Sequence, residues 1–258
     1  MNDLIKKEIY EKAINHSKRV VNDISVEKLR IKALIKDFRE RLQKGNLEDP
    51  EVIVALLIHQ LEHEKQLDYA ENSPYFVRCD VKFDDNSKIE TLYFGRFAFR
   101  EDSVFSWVAP ASLIRFESPG EISYILPNGK KRMGTLLRKD QYMIIDREIF
   151  FLSSEATNYE RELIYQKHFT EQKIGFVLPE IVEQMEKAQD TIIRSHYFGS
   201  FLISGAAGSG KTTLALHRIA YLVQSPETEK IFNPSKITVF VQDASTKKYF
   251  SGLLPELG

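Results

Sequence analysis

The sequence predicts an α/β fold in three consecutive parts, and three observations predict it. Apolar residues recur at three- and four-residue steps through the first seventy positions. The period switches to two between Tyr75 and Leu152. A glycine loop at 205–212 then sits between a short apolar run and a further helical pattern. The expected order is a helical hairpin (1–72), a small antiparallel β module (73–153) and the start of a parallel α/β domain (154–258).

In the first part Ile5, Ile9, Ala13, Ile14, Val20, Val21, Ile24, Leu29, Leu34, Ile35, Phe38 and Leu42 fall between charges at helical spacing. They describe one long amphipathic helix, with Ser25 a candidate break. Gly45-Asn46 supplies a stop, and Asp49-Pro50 a new start with proline in the first turn. Val52, Leu56, Leu57, Leu61 and Leu67 mark the apolar side of a second helix over 52–69. Two helices joined by a short turn read as an antiparallel hairpin with Glu48 and Asp49 near its tip. On pattern alone an apolar stripe is first of all core, so the hairpin reads as a subdomain packed on its neighbours. A projecting arm that meets a partner is the alternative.

The second part alternates. Tyr75-Phe76-Val77-Arg78-Cys79-Asp80-Val81-Lys82-Phe83 is followed by a turn at Asp84-Asp85-Asn86-Ser87, and 89–94 resumes the period. Further strands are expected at 97–105, 122–125 and 142–145. Asn128-Gly129 signals a hairpin between Tyr124-Ile125-Leu126 and Arg132-Met133-Gly134-Thr135-Leu136-Leu137. A helix is expected over 155–169.

The third part carries the chemistry. Gly205-Ala206-Ala207-Gly208-Ser209-Gly210-Lys211-Thr212 is a complete G-x-x-x-x-G-K-[ST] loop. Phe201-Leu202-Ile203-Ser204 suits a buried strand before it. Residues 213–223 suit a helix after it, with Leu214, Ala215, Ile219 and Leu222 inward. Glycines let the backbone curl so that successive N–H groups face a phosphate, and the helix N-terminus adds partial positive charge. Lys211 is the residue to reach the β- and γ-phosphates, and Thr212 the one to offer a hydroxyl to Mg²⁺, with Thr213 following at the helix start. The expected ligand is a nucleoside triphosphate. Ile237-Thr238-Val239-Phe240-Val241 reads as one further strand. Asp243 beyond it lacks the paired acid of a Mg²⁺-binding strand end, so the chain reads as the front portion of a larger motor.

Composition narrows the setting. Hydrophobic residues make up 43% and charged residues 28%, and the net charge of −1 argues against a uniformly basic nucleic-acid surface but not a local groove. Cys79 is the sole cysteine, which excludes an internal disulfide and a cysteine-based zinc site. No long apolar stretch follows Met-Asn-Asp-Leu-Ile-Lys-Lys-Glu, so no signal peptide or membrane span is expected, and the cytoplasm is the expected location.

The stretch from Ile203 through the loop to Leu214-Ala215-Leu216-His217-Arg218-Ile219-Ala220-Tyr221-Leu222 resembles the first helicase motif of superfamily-1 UvrD/Rep-type helicases. It is most similar to the HelD-type branch, which associates with bacterial RNA polymerase. Asn72-Ser73-Pro74-Tyr75-Phe76 resembles that branch's junction from coiled-coil arm to β module. Leu92-Tyr93-Phe94-Gly95 and Trp107 with Ala109-Pro110 resemble its β-module landmarks, and Leu254-Pro255-Glu256-Leu257-Gly258 the end of its motif Ia. The resemblance implies a P-loop, RecA-like 1A domain, incomplete here, preceded by a coiled-coil hairpin and a β module. It implies ATP and Mg²⁺ as cofactors, an ATP-dependent helicase or translocase as the intact enzyme, and DNA and RNA polymerase as partners. A polymerase remodelling or recycling factor without unwinding activity is the alternative. The Walker B acid, the arginine finger and the second RecA-like domain would lie beyond these residues. The family places an adenine-reading glutamine before the loop strand, and Gln189 falls there; an amide both donates and accepts, as an adenine edge requires. One departure stands out: Ser106-Trp107-Val108-Ala109-Pro110 replaces an Asp-Trp-Arg-Ala-Pro run, so contacts made by that acid and base are not expected.

Overall fold

In the computed structural model, residues 1–44, 49–99, 104–166, 187–206, 208–241, 244 and 247 are described. Gly45, Asn46 and Glu48 of the expected turn, Ala207 of the loop, Asp243 and the 254–258 segment lie outside them. The architecture is α/β, with helices and an open mixed sheet of seven strands. The chain forms two compact units. One holds Met1–Trp107, Ser118–Ile122 and residues 133–166; the other holds Val108–Glu117, Ser123–Arg132 and the described chain from residue 187 onward.

In the first unit, helix α1 spans Asp3–Lys44 and helix α2 spans Pro50–Asn72. The expected break near Ser25 is absent. Its hydroxyl lies 2.9 Å from the Val21 carbonyl one turn back, so it bonds within the helix instead of interrupting it. Salt bridges Lys28–Asp68 (2.6 Å) and Lys32–Glu64 (4.0 Å) run in opposite chain directions, as an antiparallel pair requires. The buried stripe of α1 is Ile9, Ala13, Ser17, Val20, Ile24, Ile31 and Ile35. Ile31 was not in the expected stripe, whereas Ile5, Leu29 and Leu34 belonged to it and are exposed. Seven-residue spacing (Ser17, Ile24, Ile31) tracks a facing helix, and positions read at the looser 3.6 period drift off that seam. On α2, Leu67 is buried and Leu57 and Leu61 pack against the core, but Val52 and Leu56 face solvent. The outer half of α2 carries Val52, Val54, Leu56 and Ile58, all exposed, so its apolar pattern does not single out a face.

The sheet order is β3-β2-β1-β5-β6-β7, with β4 (Gly120–Ile125) also on β5. Strands β1 (Val77–Phe83), β5 (Lys131–Ile145), β6 (Glu148–Ala156) and β7 (Tyr159–Gln166) pair antiparallel, as do β1 and β2 (Ile89–Gly95). Strand β3 (Val104–Ser106) runs parallel to β2, so the module is mixed, not purely antiparallel. Asn128-Gly129 makes the expected hairpin turn, with the Leu126 N–H donating to the Lys130 carbonyl at 2.8 Å.

Two further expectations are corrected. A helix is expected over 155–169, but 155–156 close β6, residues 159–166 are the edge strand β7, and 167–169 lie outside the described residues. The Tyr165 ring stacks on Tyr10 of α1 with centroids 4.4 Å apart, and Glu162 binds Lys6 at 2.8 Å. Packing against α1 outweighs the helical preference of a Glu-rich segment. The runs 132–137 and 142–145 were separate strands in the sequence reading but are one strand, β5. The charges between them, Arg138, Lys139 and Asp140, are paired: buried Lys139 binds Glu155 at 2.9 Å, and Arg138 binds Asp140.

The core of this unit lies between the base of the hairpin and one sheet face. Ile9, Ala13, Val20, Ile24, Leu67 and Ala70 meet Tyr75, Tyr93, Tyr142, Ile144, Ile149 and Leu152. His16 of α1 lies flat on Tyr93 (centroids 4.0 Å, planes 9° apart), and its Nδ1 lies 3.1 Å from the Tyr75 hydroxyl. Gly95 ends β2 where a Cβ would meet the Pro74 carbonyl at 2.5 Å, so only glycine lets the hairpin-to-sheet junction pass there. Burial, then the charges of Arg19 and Arg78, lower the His16 pKa to about 4. Because the folded value lies below the ordinary 6.5, the unfolded chain takes up the proton first. Stability from His16 is therefore complete above about pH 6.5 and is lost as pH falls toward 4. Urea midpoints measured from pH 7 to 4.5 should fall more steeply for the wild-type chain than for His16→Gln. The residual slope of the variant includes His63, whose pKa burial also lowers. Equal slopes would remove His16 from the account.

In the second unit, residues 110–116 form a 3-10 helix, residues 187–193 a helix (α3) and Lys211–Gln224 the helix α4. The strands expected at 201–204 and 237–241 are not strands: both segments run without sheet pairing, and Leu202 and Phe240 are 90% and 93% exposed. A strand exists only with a neighbour to complete its backbone hydrogen bonds, and the described residues of this unit offer these segments none.

Candidate functional site

The 205–212 loop leads into α4 through two glycines in the left-handed region, Gly208 at φ 75° and Gly210 at φ 78°. Gly210 is the N-cap of α4, and the Leu214 N–H donates to its carbonyl at 2.9 Å. A side chain at either glycine would be strained, so the tight reversal needs both. A Cβ at Gly205 would stand 3.0 Å from Ser209 Oγ, which shows how closely the loop folds on itself. Lys211 Nζ reaches back to donate to the Ala206 carbonyl at 2.5 Å, and the Ser209 N–H points to the same oxygen at 3.3 Å. Gly205, Ala206, Gly208, Ser209, Gly210, Thr212 and Thr213 are exposed and Lys211 is half-buried. The described residues of the loop thus face solvent, with the Lys211 ammonium reaching across them and the N-terminus of α4 behind.

Such an arrangement suits a phosphate chain: the N-terminal N–H groups of α4 have no carbonyls ahead of them, and Lys211 supplies a cation. Thr212 on the first turn offers one hydroxyl for Mg²⁺. Among the described residues there is no cluster of three or more His, Cys, Asp or Glu side chains that could hold a metal. Thr213 is engaged through its backbone, with His217 Nδ1 donating to its carbonyl at 2.9 Å.

The apolar face of α4 is rotated from the expected one. Leu216, Arg218, Ala220 and Tyr221 are buried, while Leu214, Ala215, Ile219 and Leu222 are half-buried. Arg218, 7% exposed, is the residue that helical periodicity passes over, because a guanidinium on the inward side violates the expected pattern. Its NH1 donates to the carbonyls of Ile193 (2.9 Å), Ile192 (3.0 Å) and Ser195 (3.1 Å), and its NH2 to that of His196 (2.7 Å). The Phe201 ring lies 4.2 Å from its guanidinium carbon. Burial lowers the Arg218 pKa from its ordinary value.

Gln189 is exposed on α3, one residue before Asp190, which is 3% exposed. Asp190 accepts from Arg194 Nε at 2.7 Å and from Arg115 at 3.1 Å. Arg194 also donates to Ser112 Oγ (2.9 Å) and to the Val108 carbonyl (3.3 Å), and its guanidinium lies over the Tyr221 ring at 5.1 Å. Val108 is therefore engaged through its backbone carbonyl by Arg194, the residue just past α3. Asp190, Arg194 and Arg218 were all missed by the sequence reading. The one available signal was the charge pattern Asp190…Arg194, an i, i+4 pair.

Compared with known proteins, the chain matches no family model and no curated protein. No described helix is long and apolar enough to cross a membrane.

Proposed function

We propose that this chain is the ATP-binding front portion of an ATP-dependent helicase or translocase of the superfamily-1 UvrD/HelD type, with the chain from residue 187 onward belonging to the beginning of its P-loop domain. The observation that carries the reading is the loop itself. Two left-handed glycines, an exposed rim of loop residues and Lys211 with Thr212 on the first turn of α4 form a cradle for a triphosphate. On binding, Lys211 Nζ exchanges the Ala206 carbonyl for β- and γ-phosphate oxygens, and the loop N–H groups turn toward the phosphates. Mg²⁺, when bound, neutralises phosphate charge, and Thr212 contributes one oxygen to it. Gln189, exposed on α3, reads the adenine edge. The test is the choice of base: Gln189→Ala should weaken ATP by about 1–3 kcal/mol while leaving GTP nearly unchanged, as expected for loss of one partner of a polar pair. Equal losses for both nucleotides, measured by calorimetry, would return Gln189 to an ordinary surface residue.

A second reading, an RNA polymerase remodelling factor that need not unwind DNA, is favoured by the hairpin. Its base lies in the core of the first unit, whereas Val52, Val54, Leu56 and Ile58 on its outer half are exposed. Deleting residues 1–70 would strip that core from Tyr75, Tyr93 and Tyr142, so the informative variant shortens the arm only. Residues 40–56 are removed and 39 is joined to 57 by a glycine turn, in the register set by Lys32–Glu64, which keeps Leu57 against the core. This protein should keep the melting behaviour of the first unit and lose capture of polymerase in a pull-down. Capture at the wild-type level would leave the hairpin as scaffold.

A further inference from the structure

Resting on the nucleotide reading above, we propose that Arg218 is a positioning residue for base selectivity: it clamps the end of the helix that carries Gln189 onto the helix that carries Lys211 and Thr212. Helix α3 ends at residue 193, where the Arg194 N–H donates to the Asp190 carbonyl at 2.9 Å and the Ser195 N–H to that of Ile192 at 3.3 Å. Arg218 adds donors from α4, reaching Ile192 and Ile193 at the helix end and Ser195 and His196 just beyond it with one planar fork. Ser195 Oγ joins the cluster, accepting from Arg218 NH1 at 2.9 Å while donating to the Ile192 carbonyl at 2.7 Å. Every one of these acceptors is uncharged, so the guanidinium is held by a helix end and not by a carboxylate. That arrangement suits a positive charge at a helix C-terminus.

The geometry ties two parts of one ligand site together. Seven residues separate Lys211 from Arg218, two turns of the same helix, so the phosphate end of the site and the clamp move as one body. Four residues separate Gln189 from Ile193 on α3, so the amide and the clamped carbonyl also move as one. Phe201, stacked on the guanidinium at 4.2 Å, carries the clamp to the segment that enters the loop. On the opposite side, Asp190 binds Arg194 and Arg115, which holds α3 against the 3-10 helix at 110–116, and Arg194 also lies over the Tyr221 ring of α4 at 5.1 Å. Arg218 thus supplies the hydrogen bonds between the two helices that hold the phosphate cradle at a set distance from the amide. Lysine, with one compact ammonium, cannot span the same four carbonyls.

The test measures binding of tripolyphosphate, ATP and GTP to the full chain by calorimetry, for the wild type, Arg218→Lys, Arg218→Met and Lys211→Ala. The expected result is that both Arg218 variants bind tripolyphosphate within about twofold of wild type, while their preference for ATP over GTP falls by about tenfold, the scale of one lost polar contact. Arg218→Lys decides the matter if Arg218→Met fails to fold. Wild-type preference retained in the Lys variant would overturn the proposal, leaving Arg218 a scaffold residue. Tripolyphosphate, ATP and GTP weakened alike in the Lys variant would also overturn it, because the clamp would then be supporting the loop and not the base. Wild-type protein that binds tripolyphosphate no better than Lys211→Ala would instead overturn the nucleotide reading itself. A wild type that binds ATP and GTP equally would overturn the adenine reading, and this proposal with it.

Discussion

Asp140→Ala should destabilise the first unit by about 3–5 kcal/mol, the scale for removing one partner of a buried ion pair. Asp140 is fully buried on β5 and collects five hydrogen bonds. Arg138 donates through Nε (2.8 Å) and NH2 (2.7 Å), and Arg78 NH1 donates at 3.2 Å. The Tyr142 hydroxyl (3.2 Å) and the Ser154 hydroxyl (2.5 Å) complete the shell. The alanine variant leaves Arg138 without its carboxylate and Arg78 with only Asp80, at 2.8 Å. The loss therefore comes chiefly from stranded guanidinium charge and much less from the missing carboxylate contacts. A companion variant separates the two: Arg78→Met, Arg138→Met and Asp140→Leu together should recover most of the stability, since an apolar replacement of a buried charge cluster is often neutral or better. Urea unfolding of both proteins checks this. A loss below about 1 kcal/mol for Asp140→Ala would place the cluster among solvated surface pairs, whose typical contribution is that small.

That cluster shows which parts of the molecule can be read from sequence. The glycine loop was legible because its information is local: two glycines with φ near 75°, a lysine and a threonine at fixed offsets define the turn without help from elsewhere. The hairpin was legible as two helices, but its seam was not, since α1 follows the facing helix at heptad spacing and so buries Ile31 while exposing Leu29. Strand β5 was cut in two because Arg138-Lys139-Asp140 reads as solvent-facing, and only the partners Arg78, Ser154 and Glu155, distant in sequence, make it core. Arg218 was hidden for the same reason, its acceptors lying more than twenty residues upstream. The strands expected at 201–204 and 237–241 failed in the opposite direction: their local pattern is right, but pairing is a property of two segments and not of one.

Lys211→Ala should lower Mg²⁺–ATP affinity by about ten- to hundredfold, the scale of one charge-assisted hydrogen bond to a phosphate. The same protein should melt like wild type, because Lys211 Nζ makes a bond to the exposed Ala206 carbonyl that water can replace. The expected turnover is a separate matter. Phosphoryl transfer needs a positioned water and an arginine at the γ-phosphate in addition to the cradle, and losing the arginine alone slows P-loop enzymes that use one by about 10³–10⁵. Arg218 and Arg194 do not serve as that arginine, since Arg218 is committed to the carbonyls at the end of α3 and Arg194 to Asp190, Ser112 and Val108. The 258-residue chain should therefore bind Mg²⁺–ATP without hydrolysing it at a useful rate, with binding read by calorimetry and phosphate release by a coupled assay. Robust turnover abolished by Lys211→Ala would show that these residues already contain a complete catalytic set. Unchanged ATP affinity in Lys211→Ala would show that the loop is a glycine turn and not a phosphate cradle.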